Sequence, residues 1–152
     1  MKKAKTDYSE NLPEIKLQLT KSTFIKAKIK NSECAANILR PMFEDSIEIF
    51  ESMFAIFLSR SNETIGWLRV SQGGLTGTVV DNRLILNAAI GSLCSGIIIP
   101  HNHPSGNKQP SDADLNVTKK LKNACEILEI KLLDHLIITK ESYLSLADEG
   151  LM

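Results

Sequence analysis

The sequence predicts one α/β or α+β domain. Three observations carry this reading. The 152-residue chain is 43% hydrophobic and 24% charged, enough apolar content at that length to bury a core without disulfide staples. Strand-like apolar runs alternate with segments that open on helix-capping residues. Internal repeats and long linkers are absent from the sequence. The expected division is a basic N-terminal arm with leading strands over residues 1–30 and one domain over residues 31–152.

Taken in order, residues 1–12 are polar and read as a frayed leading segment. Ile15-Lys-Leu-Gln-Leu19 alternates apolar and polar as a half-buried strand does, and Thr23–Lys30 repeats the pattern more weakly. Asn31 or Ser32 can cap a short helix through Leu39, which Pro41 then limits. Glu44–Ser52 is acidic and mixed and carries no clear period. Met53–Leu58 and Ile65–Val70 are apolar runs on either side of the polar Arg60–Thr64, the pattern of a hairpin. Gln72–Thr78 is glycine-rich and reads as a bulged strand or tight turn; it lacks the lysine and spacing of a phosphate-cradling loop. Asp81 can cap a helix reaching about Leu93, with Leu84, Ala88 and Ile90/Gly91 on its inner face. Ser95–Pro100 is fully apolar, as a buried central strand is. A loop over 101–110 leads to a helix from Ser111 to about Leu128. Ile130–Leu133 with Leu136–Thr139 gives a further strand, and Tyr143–Leu151 a short terminal element. Trp67 and the phenylalanines are expected in the core.

Charge and cysteine usage narrow the function classes. Eighteen basic and 18 acidic side chains cancel, which weighs against nucleic-acid binding by bulk electrostatics. The distribution is uneven: residues 1–30 hold eight Lys against three acids. That arm reads as a solvated segment, with contact to a polyanion as the alternative. The longest apolar runs, Phe54–Leu58 and Ile97–Pro100, fall far short of the roughly 20 residues that span a bilayer, so no membrane partner is expected. No secretory signal pattern opens the sequence. Cys34, Cys94 and Cys125 are odd in number and widely spaced, the usage of reduced core cysteines in a cytoplasmic protein.

Two of only three histidines, His101 and His103, stand two residues apart, and Pro100, Pro104 and Pro110 surround them. Alternation along an extended chain puts both imidazoles on one side. Two imidazoles and a carboxylate make a three-ligand set for zinc with a fourth position left for water, and Asp114, on the first turn of the following helix, can supply the carboxylate. The same turn also fits a capping box, with Ser111 as N-cap and an acid three residues on. The two roles are compatible. Without a metal, the histidines would be surface loop residues and the prolines and Gly106 turn chemistry.

His101-x-His103, seven residues, Ser111, two residues and Asp114 spell H-x-H-x7-S-x2-D, and in this the chain resembles the JAMM (JAB/MPN) metalloproteases. The string His101-Asn-His-Pro-Ser-Gly106, with Pro110-Ser111, Asp114, Gly77-Thr78 and Leu133-Asp134-His135-Leu136, is similar to the RadC-like branch over about residues 45–152. The resemblance implies a JAB/MPN, cytidine-deaminase-like layered fold with a central curved mixed β-sheet flanked by helices. It places His101, His103 and Asp114 on one zinc ion per chain and gives Ser111 a hydrogen bond to the oxyanion or the zinc-bound water. It also implies a glutamate upstream that acts through that water. Glu48 and Glu51 are the candidates; Glu51 directly precedes the apolar strand, as in RadC-like chains, although Phe54 stands where many JAMM proteases have glycine. The implied reaction is hydrolysis of a peptide or isopeptide bond in a peptide or protein substrate, with zinc activating water and a carboxylate taking its proton.

His135, beside Asp134, reads as half of a structural His–Asp corner on the last strand, with orientation of a ligating imidazole as the alternative. Two other functions stay in view. One is a DNA-associated RadC-like accessory protein, for which the Lys-rich first 30 residues would be responsible; the other is an inactive MPN scaffold, which would be expected to have lost ligands. A zinc base deaminase is excluded, because neither H-x-E nor P-C-x-x-C occurs.

Overall fold

A five-stranded mixed sheet in the order β2-β1-β3-β4-β5 organises the chain, whose computed structural model describes residues 18–24, 26–73 and 80–152. The elements are α1 (Ser32–Leu39), a 3-10 turn (Arg40–Phe43), β1 (Ser52–Leu58), β2 (Thr64–Gln72), α2 (Asn82–Ser92), β3 (Gly96–Asn102), α3 (Asp112–Ile127), β4 (Lys131–Ile138) and β5 (Tyr143–Ser145). β1 runs antiparallel to both β2 and β3, β3 and β4 are parallel and joined through α3, and β5 returns antiparallel on β4. This is the mixed α/β fold expected. Most of the basic arm, the start of the Ile15–Leu19 run and the Gly77-Thr78 pair lie outside the described residues.

Each helix begins where a short polar side chain can satisfy its free N–H groups. Asn31 accepts from the Cys34 N–H at 2.8 Å, Asp81 from the Arg83 N–H at 3.0 Å, and Ser111 from the Asp114 N–H at 3.2 Å. Pro41 ends the α1 ladder as expected, and the chain continues through the 3-10 turn into the Glu44–Phe50 turns.

The sheet is covered on both sides. Met53, Ala55 and Phe57 of β1 face α2 and α3, packing with Ile97, Ile99, Ile85, Ala89, Leu121 and Cys125. Phe54, Ile56 and Leu58 face α1 and the 3-10 turn, meeting Ala35, Leu39, Met42, Phe43 and Ile98. Every residue of β1 and β3 is therefore buried, which is why Met53–Leu58 and Ile97–Pro100 read as unbroken apolar runs.

Several expectations need correction. Thr23–Lys30 holds no strand among its described residues, only an isolated bridge from Lys28 to Glu63, because its backbone bonds are made to the β1–β2 turn. The buried face of α2 is Ile85 and Ala89, while Leu84 and Ile90 are half exposed. Adjacent rows of this helix are both apolar, so composition did not single out the inner one. Trp67 is 38% exposed and Phe24 39%; the two stack edge to face on β2, an edge strand with one side only partly covered. Cys34 is only partly buried, unlike Cys94 and Cys125, and all three are free thiols. The apolar strand after α2 does not stop at Pro100 but runs through His101 to Asn102. Among the described residues no helix is long and apolar enough to cross a membrane.

Candidate metal centre

The site forms where β3 ends against the start of α3. Residues on β3 alternate, so Ile97, Ile99 and His101 face α3, and Asn102 faces the opposite layer. Beyond the strand, His103-Pro104-Ser105-Gly106 turns sharply: the Gly106 N–H donates to the His103 carbonyl at 3.0 Å, and Gly106 takes a φ of +78°. The turn brings the chain back to Ser111 and α3. His101 Nε2 and His103 Nε2 come within 2.9 Å of each other, and Asp114 Oδ1 and Oδ2 stand 3.3 Å and 3.7 Å from them.

Asp114 is held by the capping box. Its Oδ2 accepts from the Ser111 backbone N–H at 2.7 Å and from the Ser111 hydroxyl at 2.6 Å. Capping and ligand geometry thus coexist, with Oδ1 turned to His101. His103 is oriented from behind: its Nδ1 lies 2.6 Å from the Asn107 carbonyl, which can only accept. The hydrogen on Nδ1 is therefore fixed, and Nε2 is the nitrogen left facing the site.

Electrostatics follow from this convergence. Burial pushes His101 down to about 4, with Asp114 raising it and His103 lowering it, so the ring is neutral at neutral pH. His103 moves upward, chiefly through Asp114 and against burial, with the Asn107 carbonyl and the Glu51 charge assisting. Burial alone would raise Asp114, but the hydrogen bond with His103, the His101 ring and the Ser111 bonds outweigh it and hold the carboxyl well below the ordinary range.

These residues fit a zinc ion. Ligand atoms about 2.0–2.1 Å from one tetrahedral zinc stand about 3.3 Å apart, near the 2.9 Å between the two histidine Nε2 atoms and the 3.3 Å from His101 Nε2 to Asp114 Oδ1. Two imidazole nitrogens and a carboxylate oxygen within 4.8 Å of one another are also the donor set that zinc takes at catalytic centres.

Glu51 and Glu48 part company. Glu51, immediately before β1, lines a cavity of about 40 Å³ together with His101, Asp114, Met53, Val80 and Val117, space enough for water. Glu48 pairs with Lys140 at 2.9 Å on the surface. Asn102, passed over in the sequence, anchors the segment that leads to Glu51. Its fully buried side chain accepts from the Ser52 N–H at 2.7 Å and donates to the carbonyls of Ser46, Ile47 and Phe50 at 3.0, 3.3 and 2.9 Å. Its place between the two histidines was the only signal available.

His135 is not part of a His–Asp corner. It belongs to β4, which β5 follows, and it faces α3, whereas Asp134 points to the other layer, accepting from the Ser145 hydroxyl at 2.7 Å and the Ala147 N–H at 3.2 Å. His135 Nε2 lies 2.7 Å from His101 Nδ1, and His135 Nδ1 lies 2.6 Å from Thr118 Oγ1. Burial holds this ring well below its ordinary pKa.

The family model of the RadC-like JAB domain matches residues 29–151, a span that begins earlier than the motifs alone indicated. A protein of Flavobacterium johnsoniae named UPF0758 protein is 44% identical over 124 residues, covering 82% of this chain and 53% of its own length. Similarly named proteins of Aquifex aeolicus and Porphyromonas gingivalis are 39% and 38% identical, covering 84% of this chain and 54% and 56% of theirs. The chain thus spans about half the length of the curated relatives it matches.

Proposed function

The chain belongs to the RadC-like JAB domain family, and from that premise we propose that it is a zinc-dependent hydrolase of peptide or isopeptide bonds. The observation that carries this reading is the convergence of His101 Nε2, His103 Nε2 and the Asp114 carboxylate beside a water-sized cavity that Glu51 also lines. His101, His103 and Asp114 would hold the ion. Zinc in that seat would supply Lewis acidity, activating water and polarising a carbonyl at neutral pH.

The protein's own groups divide the remaining work. Glu51 takes a proton at its carboxylate from the attacking water and returns it to the departing amine. Met53, Val80 and Val117 limit bulk water in the cavity, which strengthens the electrostatics within it. Ser111 has two positions available: the hydroxyl anchors Asp114 Oδ2, and because the Ser111 N–H holds the same oxygen, the hydroxyl can turn to a developing oxyanion without freeing the carboxylate. The substrate is a peptide or protein, and the free thiols fit a reducing, cytoplasmic setting.

A panel of peptide and isopeptide substrates, assayed with and without chelator, tests the reading. Glu51→Gln should retain zinc and abolish hydrolysis; undiminished hydrolysis in that variant would remove Glu51 from its role. A DNA-associated accessory role is the second reading, supported by the eight lysines of residues 1–30. Deleting that segment should then abolish a gel shift and flatten its salt dependence; an unchanged shift would count against it. An inactive scaffold would keep the fold without turnover or zinc.

A further inference from the structure

His135 faces α3 because β4 carries one extra residue. Ile97 pairs with Leu132 but Ile98 pairs with Asp134, so Leu133 is bulged out of the β3–β4 ladder. Strict alternation from Leu132 would have turned His135 toward α1; the bulge reverses the phase and sends the ring to the side of His101. The fold accommodates this at Gly96, where a Cβ would stand 2.8 Å from Leu133 Cδ1. Bulges of this kind re-aim side chains next to functional sites.

The hydrogen-bond chain that results runs in one direction. Thr118, one turn beyond Asp114 on α3, donates its only hydrogen to the Asp114 carbonyl at 2.7 Å, a group that can only accept. In its other contact Thr118 Oγ1 is therefore the acceptor, and His135 Nδ1–H donates to it at 2.6 Å. A neutral imidazole that donates through Nδ1 accepts through Nε2, so His101 Nδ1–H donates to His135 Nε2 at 2.7 Å. The hydrogen on His101 is then assigned: Nδ1 carries it, and Nε2 presents a lone pair toward His103 and Asp114.

We propose that His135 is a positioning residue for the metal centre: anchored by Thr118, its buried ring accepts the His101 Nδ1–H and thereby fixes the tautomer and orientation in which His101 Nε2 is a ligand. The proposal rests on the zinc reading above. The same helix supplies ligand and anchor, because Asp114 gives its carboxylate to the centre and its carbonyl to Thr118. Partners of this kind raise the basicity of a ligating histidine and restrict its ring, and their loss costs about 10–100-fold in metal affinity.

The test uses the full chain and zinc, with affinity measured by competition against a chromophoric chelator. His135→Phe removes the acceptor and should weaken zinc binding about 10–100-fold. His135→Gln can still accept from His101 and donate to Thr118, so it should bind within a few-fold of wild type. Equal zinc affinity in His135→Phe and wild type would overturn the proposal while leaving the zinc reading intact. A wild-type chain that takes up no zinc would overturn the zinc reading and this proposal with it. Nitrogen-15 shifts of the imidazoles in the metal-free wild-type protein give a readout that needs no variant: hydrogen on Nδ1 of both His101 and His135 is expected, and hydrogen on Nε2 of His101 would refute the assignment.

Discussion

Replacing Asn102 with alanine should destabilise the protein by about 3 kcal/mol, the sum of an orphaned donor and weakened acceptors. Asn102 is fully buried, as is the Ser52 N–H donor's residue, and Ser46 on the accepting side is equally inaccessible. Losing Oδ1 leaves the Ser52 N–H without its 2.7 Å partner, at about 1–3 kcal/mol for a buried group. Losing Nδ2 releases the Ser46, Ile47 and Phe50 carbonyls; these share two hydrogens, and the Ile47 and Phe50 bonds are only partly buried, so they add about 1–2 kcal/mol together. For a chain of this size about 3 kcal/mol lowers the melting temperature by about 6–12 °C. Circular dichroism through a urea or thermal transition measures it. The functional consequence should be selective: the segment leading to Glu51 loosens while the ligands stay, so zinc affinity holds within a few-fold as hydrolysis falls. A loss below about 1 kcal/mol would show that the Asn102 bonds do not secure this segment.

Two further predictions concern the capping box and a buried acid. Ser111→Ala removes the α3 cap and one of the two bonds to Asp114 Oδ2, so stability should drop by about 1 kcal/mol and zinc affinity should fall as well; unchanged values in both unfolding and chelator titration would refute the coupling of cap to ligand. Asp134 is raised above its ordinary 3.8 by burial, against the bonds from Ser145 and Ala147. The folded chain therefore holds this proton more tightly than the unfolded chain, a stabilisation fully present below 3.8 and lost as pH rises through the folded value. Asp134→Asn removes that step, so its stability relative to wild type should increase as pH rises from below 3.8 to neutrality; a difference that stays flat with pH would contradict the assignment.

What the sequence disclosed depended on how local the determining physics is. Asn31, Asp81 and Ser111 were legible as caps because a short polar side chain acts on N–H groups two or three residues away. β1 and β3 were legible because burial on both faces leaves an unbroken apolar run. The spacing of His101, His103 and Asp114 was legible because one strand end, one turn and one capping box hold all three. The place of His135 was not, since it depends on a bulge that exists only in the pairing of β4 with β3. Asn102 was hidden for a related reason: its partners lie some 50 residues earlier, and nothing local marks it as buried. The inner face of α2 could not be phased because Leu84 and Ile85 begin equally apolar rows, and only the packing against β2 and α3 selects one. Trp67 was misplaced because its burial depends on which strand lies at the edge.

Metal content of the purified chain tests the central claim most directly. Elemental analysis after dialysis against metal-free buffer should find about one zinc per wild-type chain. His101→Ala, His103→Ala and Asp114→Ala should each lose it while keeping the far-ultraviolet circular dichroism of the fold. A wild-type chain without zinc, or zinc retained in all three variants, would contradict the account.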